Sequence, residues 1–466
     1  MRDSAIAEKN RPELVRGLNV WHSISIVAGT IIGSGIFLVP AEMMQDVGTA
    51  KLVYLAWIVG GLLSFFGALT YAELGAVRPY SGGEYVYVRD AYGPMAGFLY
   101  GWTWFLIGKP GSIATTTAAI VRVLGTLPAF SFVTSAIFTL HVTSSRTLVI
   151  NYGHLVAIAA AVLITALNYL GIRKAGDFQF AFTVLKVVLI VGIAAVAFTA
   201  ASGSWSNFGT TFAGAKGGMA GFMAALVAAL WAYDGWNDLN MVSEEIQRPE
   251  KTIPFALIAG VGLVAVLYMG LNAGIQRALP ATAIAQAAVP AAAASEAALG
   301  HWGIALVSIG MIISMLAGLN GTVMSGGRVP FAVARDGYLF KALGEVHPKF
   351  HTPGLALVVQ AVVAILLILV GGAFRELFSL TIFAEWLFYM VAASTIFVFR
   401  WREPDVARPY RTAGYPVVPA LFIAAASVLL YYTFMSNLQN SIAGVIVILL
   451  GIPVYLWFAR QRAQRA

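Results

Sequence analysis

Long apolar runs separated by short polar connections occupy nearly the whole chain, and they predict twelve membrane-spanning helices. The runs lie at about 18–40, 51–76, 94–122, 150–170, 178–200, 219–243, 254–276, 302–327, 354–372, 376–399, 416–434 and 441–459. Two of them are broken in the middle, about one protein-half apart. The first reads Ile24-Ser25-Ile26-Val27-Ala28-Gly29-Thr30-Ile31-Ile32-Gly33-Ser34-Gly35-Ile36-Phe37, and the second Ala228-Ala229-Leu230-Trp231-Ala232-Tyr233-Asp234-Gly235-Trp236-Asn237-Asp238-Leu239-Asn240. In hydrocarbon every backbone polar group needs a partner, so glycine and polar residues at mid-span are unfavourable unless the unwound backbone lines a cavity. Paired breaks in corresponding positions are the sequence pointer to a transport site at the bilayer midplane.

Spans one to five and six to ten share this layout, each set opening on a broken helix. Five spans per copy reverse the second copy relative to the first, so the layout predicts an inverted repeat. The expected organisation is a tail at 1–17, a first five-helix repeat at 18–200, and a second at 219–399. An extra helix pair at 416–459 and a tail at 460–466 complete it. The longest outer connections are 123–149, 201–218 and 277–301, and the Ala-rich stretch Ala287 to Ala298 suits a short external helix. The loop Ser81 to Gly93 mixes aromatics and charges after a glycine pair. That pattern fits a short helix lying at the interface, as a tyrosine-rich anchoring belt or as a moving gate.

Composition narrows the class. Hydrophobic residues make up 59% of the 466 and charged residues 11%, so the chain is read as an all-α polytopic membrane protein. The net charge of +8 is a matter of topology. With the N-terminus inside, 21 of the 29 Lys and Arg fall on the cytoplasmic side and six on the outer side. That bias places both termini in the cytoplasm and removes the case for a nucleic-acid partner. The absence of cysteine excludes disulfides, thiolate metal sites and cysteine nucleophiles. Met1 to Gly17 lacks the short apolar core of a signal peptide.

Within the first break, Gly29 and Gly33 have the spacing of a helix-packing face. Gly33-Ser34-Gly35 goes further, because it eases the exit from the helix. The half-helix beginning near Ile36 then presents free N–H groups and a positive dipole end to an anion such as a carboxylate. In the second break Trp231, Tyr233 and Trp236 supply stacking surface or packing, and Asp234-Gly235 ends the helix. A mid-span carboxylate costs about 2.5–3.5 kcal/mol on insertion scales, so Asp234 either faces a partner or cavity or caps the second half-helix. Asn237 suits either capping or a substrate contact. Lys186, several turns into the fifth span, points into the bundle or snorkels to the cytoplasmic face. In the first case it bridges the unwound first helix to its neighbours in place of a sodium ion. Lys109, before Pro110, is also intramembrane, with no partner evident. Glu244 and Glu245 end span six against a basic face and suit gate ion pairs. No catalytic constellation, phosphate loop, metal set or paired intramembrane carboxylate stands out, so neither enzyme activity nor a cofactor is expected.

These segments resemble the amino acid–polyamine–organocation superfamily, and more narrowly bacterial members of the L-type amino-acid transporter family that include serine/threonine exchangers. The matching segments are Gly29 to Phe37, Tyr71-Ala72-Glu73-Leu74-Gly75 with Ser81-Gly82-Gly83, and Trp231 to Asn237. Glu244 to Pro254, Gly318-Leu319-Asn320-Gly321 and Ser325 to Gly337 complete them. The resemblance implies a LeuT-type 5+5 inverted repeat with broken helices 1 and 6, in a bacterial inner membrane. It implies substrate binding around Ile31, Gly33, Ser34, Gly35, Ile36, Leu230, Trp231, Ala232, Tyr233, Asp234 and Asn237. The substrate α-carboxylate meets N–H groups near Ser34 and Gly35, and its α-amino group meets carbonyls near Ile31 and in 230–233. Trp231 matches an aromatic gate, and Lys186 a span-five lysine at the ion position. Neutral L-amino-acid exchange is therefore expected, with proton-coupled symport or a cationic amino-acid or polyamine carrier as alternatives. A sensor fits less well, since the tails are short. Animal members join a glycoprotein through an external cysteine, so without cysteine no such disulfide-linked partner is expected.

Overall fold

The computed structural model describes residues 13–143, 146–370, 374–436 and 438–465, so most of the expected N-terminal tail lies outside the described residues. The first broken run folds as two half-helices, α1 (Val20–Ile31) and α2 (Gly35–Val47), followed by the unbroken α3 (Ala50–Val77). Next come α4 (Glu84–Tyr92), α5 (Pro94–Thr103), a π-helical turn at Trp104–Gly108, and α6 (Lys109–Leu124). A hairpin of β1 (Ala136–Thr143) and β2 (Arg146–Asn151) leads to α7 (Tyr152–Tyr169) and α8 (Ile172–Phe198). The second break separates α9 (Gly218–Ala232) from the single turn α10 (Asp238–Met241), which α11 (Pro249–Ala278) follows. Two short helices follow, α12 (Ala281–Gln286) and α13 (Pro290–Leu299). Then come α14 (His301–Gly326), α15 (Arg328–Arg335), α16 (Gly354–Val370), α17 (Phe374–Arg402), α18 (Val417–Ser436) and α19 (Leu438–Arg465).

Among the described residues, 8 helical segments are long and apolar enough to cross a membrane. Gly218–Ala232 and Gly354–Leu369 are apolar but shorter. The exposed side chains of these helices are themselves apolar: Leu163 is 69%, Val188 62% and Val266 71% exposed. Such continuous apolar exterior is tolerated in lipid and not in water, and the chain is a multi-pass membrane protein.

The all-α expectation is corrected in the connection before α7, where the described residues include strand as well as helix. Ala136–Thr143 and Arg146–Asn151 are rich in β-branched and apolar residues at near-alternate positions, and they pair antiparallel with Phe138 opposite Ile150. The Ala-rich stretch forms α13, as its composition suggests. The expected interfacial helix exists as α4, but it is packed inside the protein rather than laid on the membrane. Glu84, Tyr85, Val86, Tyr87, Val88 and Ala91 are all buried. Its polar groups find protein partners there: the Tyr85 hydroxyl donates to Asp336 at 2.6 Å, Arg89 pairs with Asp336, and Asn240 donates to the Tyr87 hydroxyl at 3.0 Å.

The face that the charge bias assigns to the cytoplasm is sealed by backbone pairing and buried charge. Leu18, ahead of α1, pairs in parallel with Ile246 beyond the second break, through Leu18 N to Glu245 O at 3.0 Å and Gln247 N to Leu18 O at 2.8 Å. Arg328 grips Glu245 at 2.7 and 3.0 Å with both side chains fully buried, and half-exposed Arg335 pairs with Glu244 at 3.0 Å. At the end of α3, Glu73 accepts from Arg400 at 2.6 Å and from the Thr412 backbone at 2.6 Å. Breaking one partner of a buried ion pair leaves an uncompensated charge. Arg328→Met is therefore expected to destabilise the detergent-purified protein by about 3–5 kcal/mol, read as a lower thermal midpoint. Arg328→Met with Glu245→Gln is expected to recover part of that loss.

Candidate functional site

Both breaks fall where glycine and polar residues interrupt the apolar runs, and they meet each other. Ile32, Gly33 and Ser34 leave the helix between α1 and α2, and residues 233–237 form turns between α9 and α10. Gly235 adopts φ +109°, a conformation that side chains disfavour, and a Cβ there would lie 3.1 Å from the Thr30 backbone. Reciprocally, a Cβ on Gly35 would lie 3.2 Å from Ala232. Only glycine allows the two unwound segments to approach so closely.

The carbonyls released by the first break are satisfied from three neighbouring helices. Lys186 on α8, fully buried, donates to Gly29 O at 2.8 Å, Ile32 O at 2.7 Å and Ser314 O at 2.9 Å. That occupies all three donors of an ammonium group. The Ser314 hydroxyl on α14 reaches Ile32 O at 2.8 Å and Gly33 O at 3.2 Å. The Tyr268 hydroxyl on α11 reaches Ile31 O at 3.2 Å and Ala232 O at 2.8 Å, touching both breaks at once. Lys186 thus points inward and does not snorkel.

Between the breaks lies a cavity of about 150 Å³, the size that holds a benzene-sized molecule in an engineered protein core. Of the expected residues, Ile31, Gly33, Ser34, Gly35, Trp231, Ala232 and Asp234 line it. Ser34 makes no side-chain cap, and its carbonyl takes the Phe37 N–H at 3.1 Å, so the N–H groups that open α2 ahead of Phe37, at Gly35 and Ile36, are the ones without a helical acceptor. Ile36 and Leu230, next in sequence to the lining residues Gly35 and Trp231, are buried and do not line it. Tyr233 turns away and packs against Trp57 and Tyr268, with ring centroids 5.7 and 5.0 Å apart. Asn237 sits at the N-cap position of α10 but makes no side-chain cap; its amide instead donates to Glu84 at 2.6 Å.

The structure also brings together charges whose convergence is not evident in the sequence. Lys109 pairs with buried Asp238, and the two line the cavity together with Asp234 and Glu385. The expectation of no paired intramembrane carboxylates is thereby corrected: three acids from two distant helical regions converge on one ammonium. Pro110 cannot continue the hydrogen-bond ladder of its helix, and the π-helical turn at Trp104–Gly108 precedes it, with Lys109 buried. Ser112, one turn on, donates to Glu385 at 3.4 Å. Thr115, Thr116, Thr322 and Tyr389 add hydroxyls to the lining. Asp234 Oδ1 and Asp238 Oδ2 are buried and have no hydrogen-bond partner among the described residues. Glu385 was legible as an acid inside an apolar run; only its distance in sequence from Asp234 hid the convergence.

Residues 18–458 match the family model described as amino acid permease. The serine/threonine exchanger SteT of Bacillus subtilis (strain 168) is 30% identical over 455 residues, covering 97% of this chain and 98% of that protein. The b(0,+)-type amino acid transporter 1 of Mus musculus is 30% identical over 97% of this chain and 89% of its own length. The human cystine/glutamate transporter is 29% identical, with coverages of 97% and 86%.

A methyl group added at Gly33 meets no atom within 4 Å, whereas loss of the Lys186 ammonium takes a donor from each of Gly29 O, Ile32 O and Ser314 O. Each buried acceptor left without a donor costs on the order of 1–3 kcal/mol. Thermal unfolding in detergent is therefore expected to show Gly33→Ala close to the parent protein and Lys186→Met far below it.

Proposed function

Because this chain belongs to the amino acid permease family, we propose that it is a secondary transporter that exchanges neutral L-amino acids by alternating access. The observation that carries this reading is the cavity shared by two abutting mid-span breaks. In this reading the architecture is twelve spans, a 5+5 inverted repeat and an extra helix pair. The protein sits in a bacterial inner membrane with both termini inside, and works without a disulfide-linked glycoprotein. The relatives are named as exchangers and transporters, not as enzymes.

The substrate α-carboxylate takes the N–H groups around Ser34 and Gly35, where the α2 dipole favours negative charge. The α-amino group takes the second lone pairs of carbonyls such as Ile31 and Ala232, which Tyr268 leaves free. Trp231 covers the ligand. Lys186 stands where a coupling ion would otherwise hold the unwound α1, and its three occupied donors favour a fixed cation over a proton carrier. That favours exchange over symport driven by Lys186.

One observation supports a second reading. Asp234 Oδ1, buried and without a donor, would welcome an ammonium or guanidinium on the substrate side chain. A cationic amino acid or polyamine is the class that supplies one.

Uptake of labelled serine, alanine, leucine and arginine into proteoliposomes tests both. The expected result is entry of neutral label only into vesicles preloaded with unlabelled amino acid, reduced about tenfold or more in Gly33→Ala as the added methyl fills the cavity. Equal uptake into empty vesicles sinks exchange. Preference for arginine, abolished in Asp234→Asn, transfers the assignment to the cationic class.

A further inference from the structure

Glu84 is the first residue of α4 and is completely buried. One of its oxygens, Oε1, accepts the Asn237 amide at 2.6 Å, which ties α4 to the segment just beyond the second break. The other two oxygens of this pair, Glu84 Oε2 and Asn237 Oδ1, are buried acceptors with no donor among the described residues. Buried polar atoms are rarely left so, and here the two orphans belong to residues already joined. A single proton on Glu84 Oε2 would give the joined pair a second donor, and Asn237 Oδ1 is an acceptor that lacks one.

The surroundings offer Glu84 no cation of its own. Lys109 on α6 is held by Asp238 on α10. From α3, α5 and α17 Glu84 has near it the phenols of Tyr71, Tyr100 and Tyr389, and from its own helix that of Tyr87; the Tyr100 hydroxyl approaches the carboxyl but completes no hydrogen bond among the described residues. The remaining charges of α4 are committed elsewhere, with Arg89 on Asp90 and Asp336, and Tyr85 on Asp336. On α15, Arg328 and Arg335 are taken by Glu245 and Glu244, and Arg78 at the end of α3 by Asp90 and Glu403. Burial, eased in part by the Asn237 bond, pushes the Glu84 carboxyl up to about 7.

We propose that Glu84 is a proton-binding site of the closed cytoplasmic gate, protonated while α4 and the second break are joined and ionised when they part. The term gate rests on the transport reading above; the proton site rests on the buried pair. The proton enters Oε2 from water at that face and returns to it on opening, where a hydrated glutamate has its ordinary pKa of about 4.3. The closed form then binds more protons than the open form between those two values. Closure is strongest below about pH 4.3 and weakens up to tenfold per unit as pH rises towards 7. Above 7 both forms are ionised and the dependence ends. A proton thereby becomes a second ligand of the exchange cycle, acting through closure and not through Lys186.

The absence of cysteine makes the test direct. Ser81→Cys places a reporter at a buried position beside Glu244, and Ala407→Cys an exposed control that cancels the pH dependence of thiol chemistry. In purified protein, normalised labelling of the reporter is expected to rise up to tenfold per unit from pH 5 to 7 and then level off. Glu84→Gln, which carries the donor and acceptor of the protonated acid, is expected to label slowly and evenly at every pH. Glu84→Ala, the alternative if the first variant does not fold, is expected to be equally flat but faster. A flat profile in the parent, or an unchanged slope in either variant, overturns the proposal. Labelling needs no substrate, so a failure of amino-acid uptake would fall on the transport reading alone.

Discussion

Everything in this molecule is organised around the cost of unwound backbone inside a membrane. Where α1 gives way at Ile32 and α9 at Tyr233, carbonyls and N–H groups lose their helical partners in a place without bulk water. Lys186, Ser314 and Tyr268, from three separate helices, replace the missing donors on the carbonyl side. The N–H side of α2 receives no comparable replacement from the Ser34 side chain. The asymmetry leaves the N-terminal end of α2 beside a cavity, and a helix N-terminus favours negative charge.

The same economy governs charge. Asp238 and Lys109 cancel each other, Glu245 is matched by Arg328, and Glu73 by Arg400. Against this background the atoms left over become informative. Asp234 and Asp238 line the cavity, and Glu84 Oε2 belongs to the carboxylate whose other oxygen holds Asn237. Other buried acceptors, such as Asn168 Oδ1, Asn240 Oδ1 and Gln360 Oε1, also lack a donor among the described residues, but Asp234 Oδ1, Asp238 Oδ2 and Glu84 Oε2 are carboxylate oxygens, for which the cost of burial without a partner is greatest.

The closing contacts also connect the site to the face of the protein. Asn237 follows directly from the turn that carries Asp234, and it reaches Glu84 on α4. Gly82, two residues earlier, donates its backbone N–H to Met241 at 3.0 Å, so α4 and the far side of the second break share backbone as well as side-chain bonds. Movement of the second break therefore has to break or carry these bonds. That gives the cavity and the sealed face one mechanical link.

The membrane class, the two breaks and the inward lysine of α8 were legible because they depend on local composition and spacing. A glycine pair or an ion inside an apolar run has few structural explanations. The family was legible for the same reason, through motifs spread along the chain. The strands Ala136–Thr143 and Arg146–Asn151 do not show in the helical period, and α4 reads as a membrane-surface helix because aromatic–charged patterns suit both an interface and an interior. What only the tertiary structure decided was convergence. Asp234, Glu385 and Lys109 are separated by more than a hundred residues from one another, and nothing local to any of them says that they share one cavity. Nor does the sequence say that Asn237 serves Glu84 and not the cap of its own helix. Partners of buried charges are chosen by packing across the bundle, and packing is a property of the folded chain.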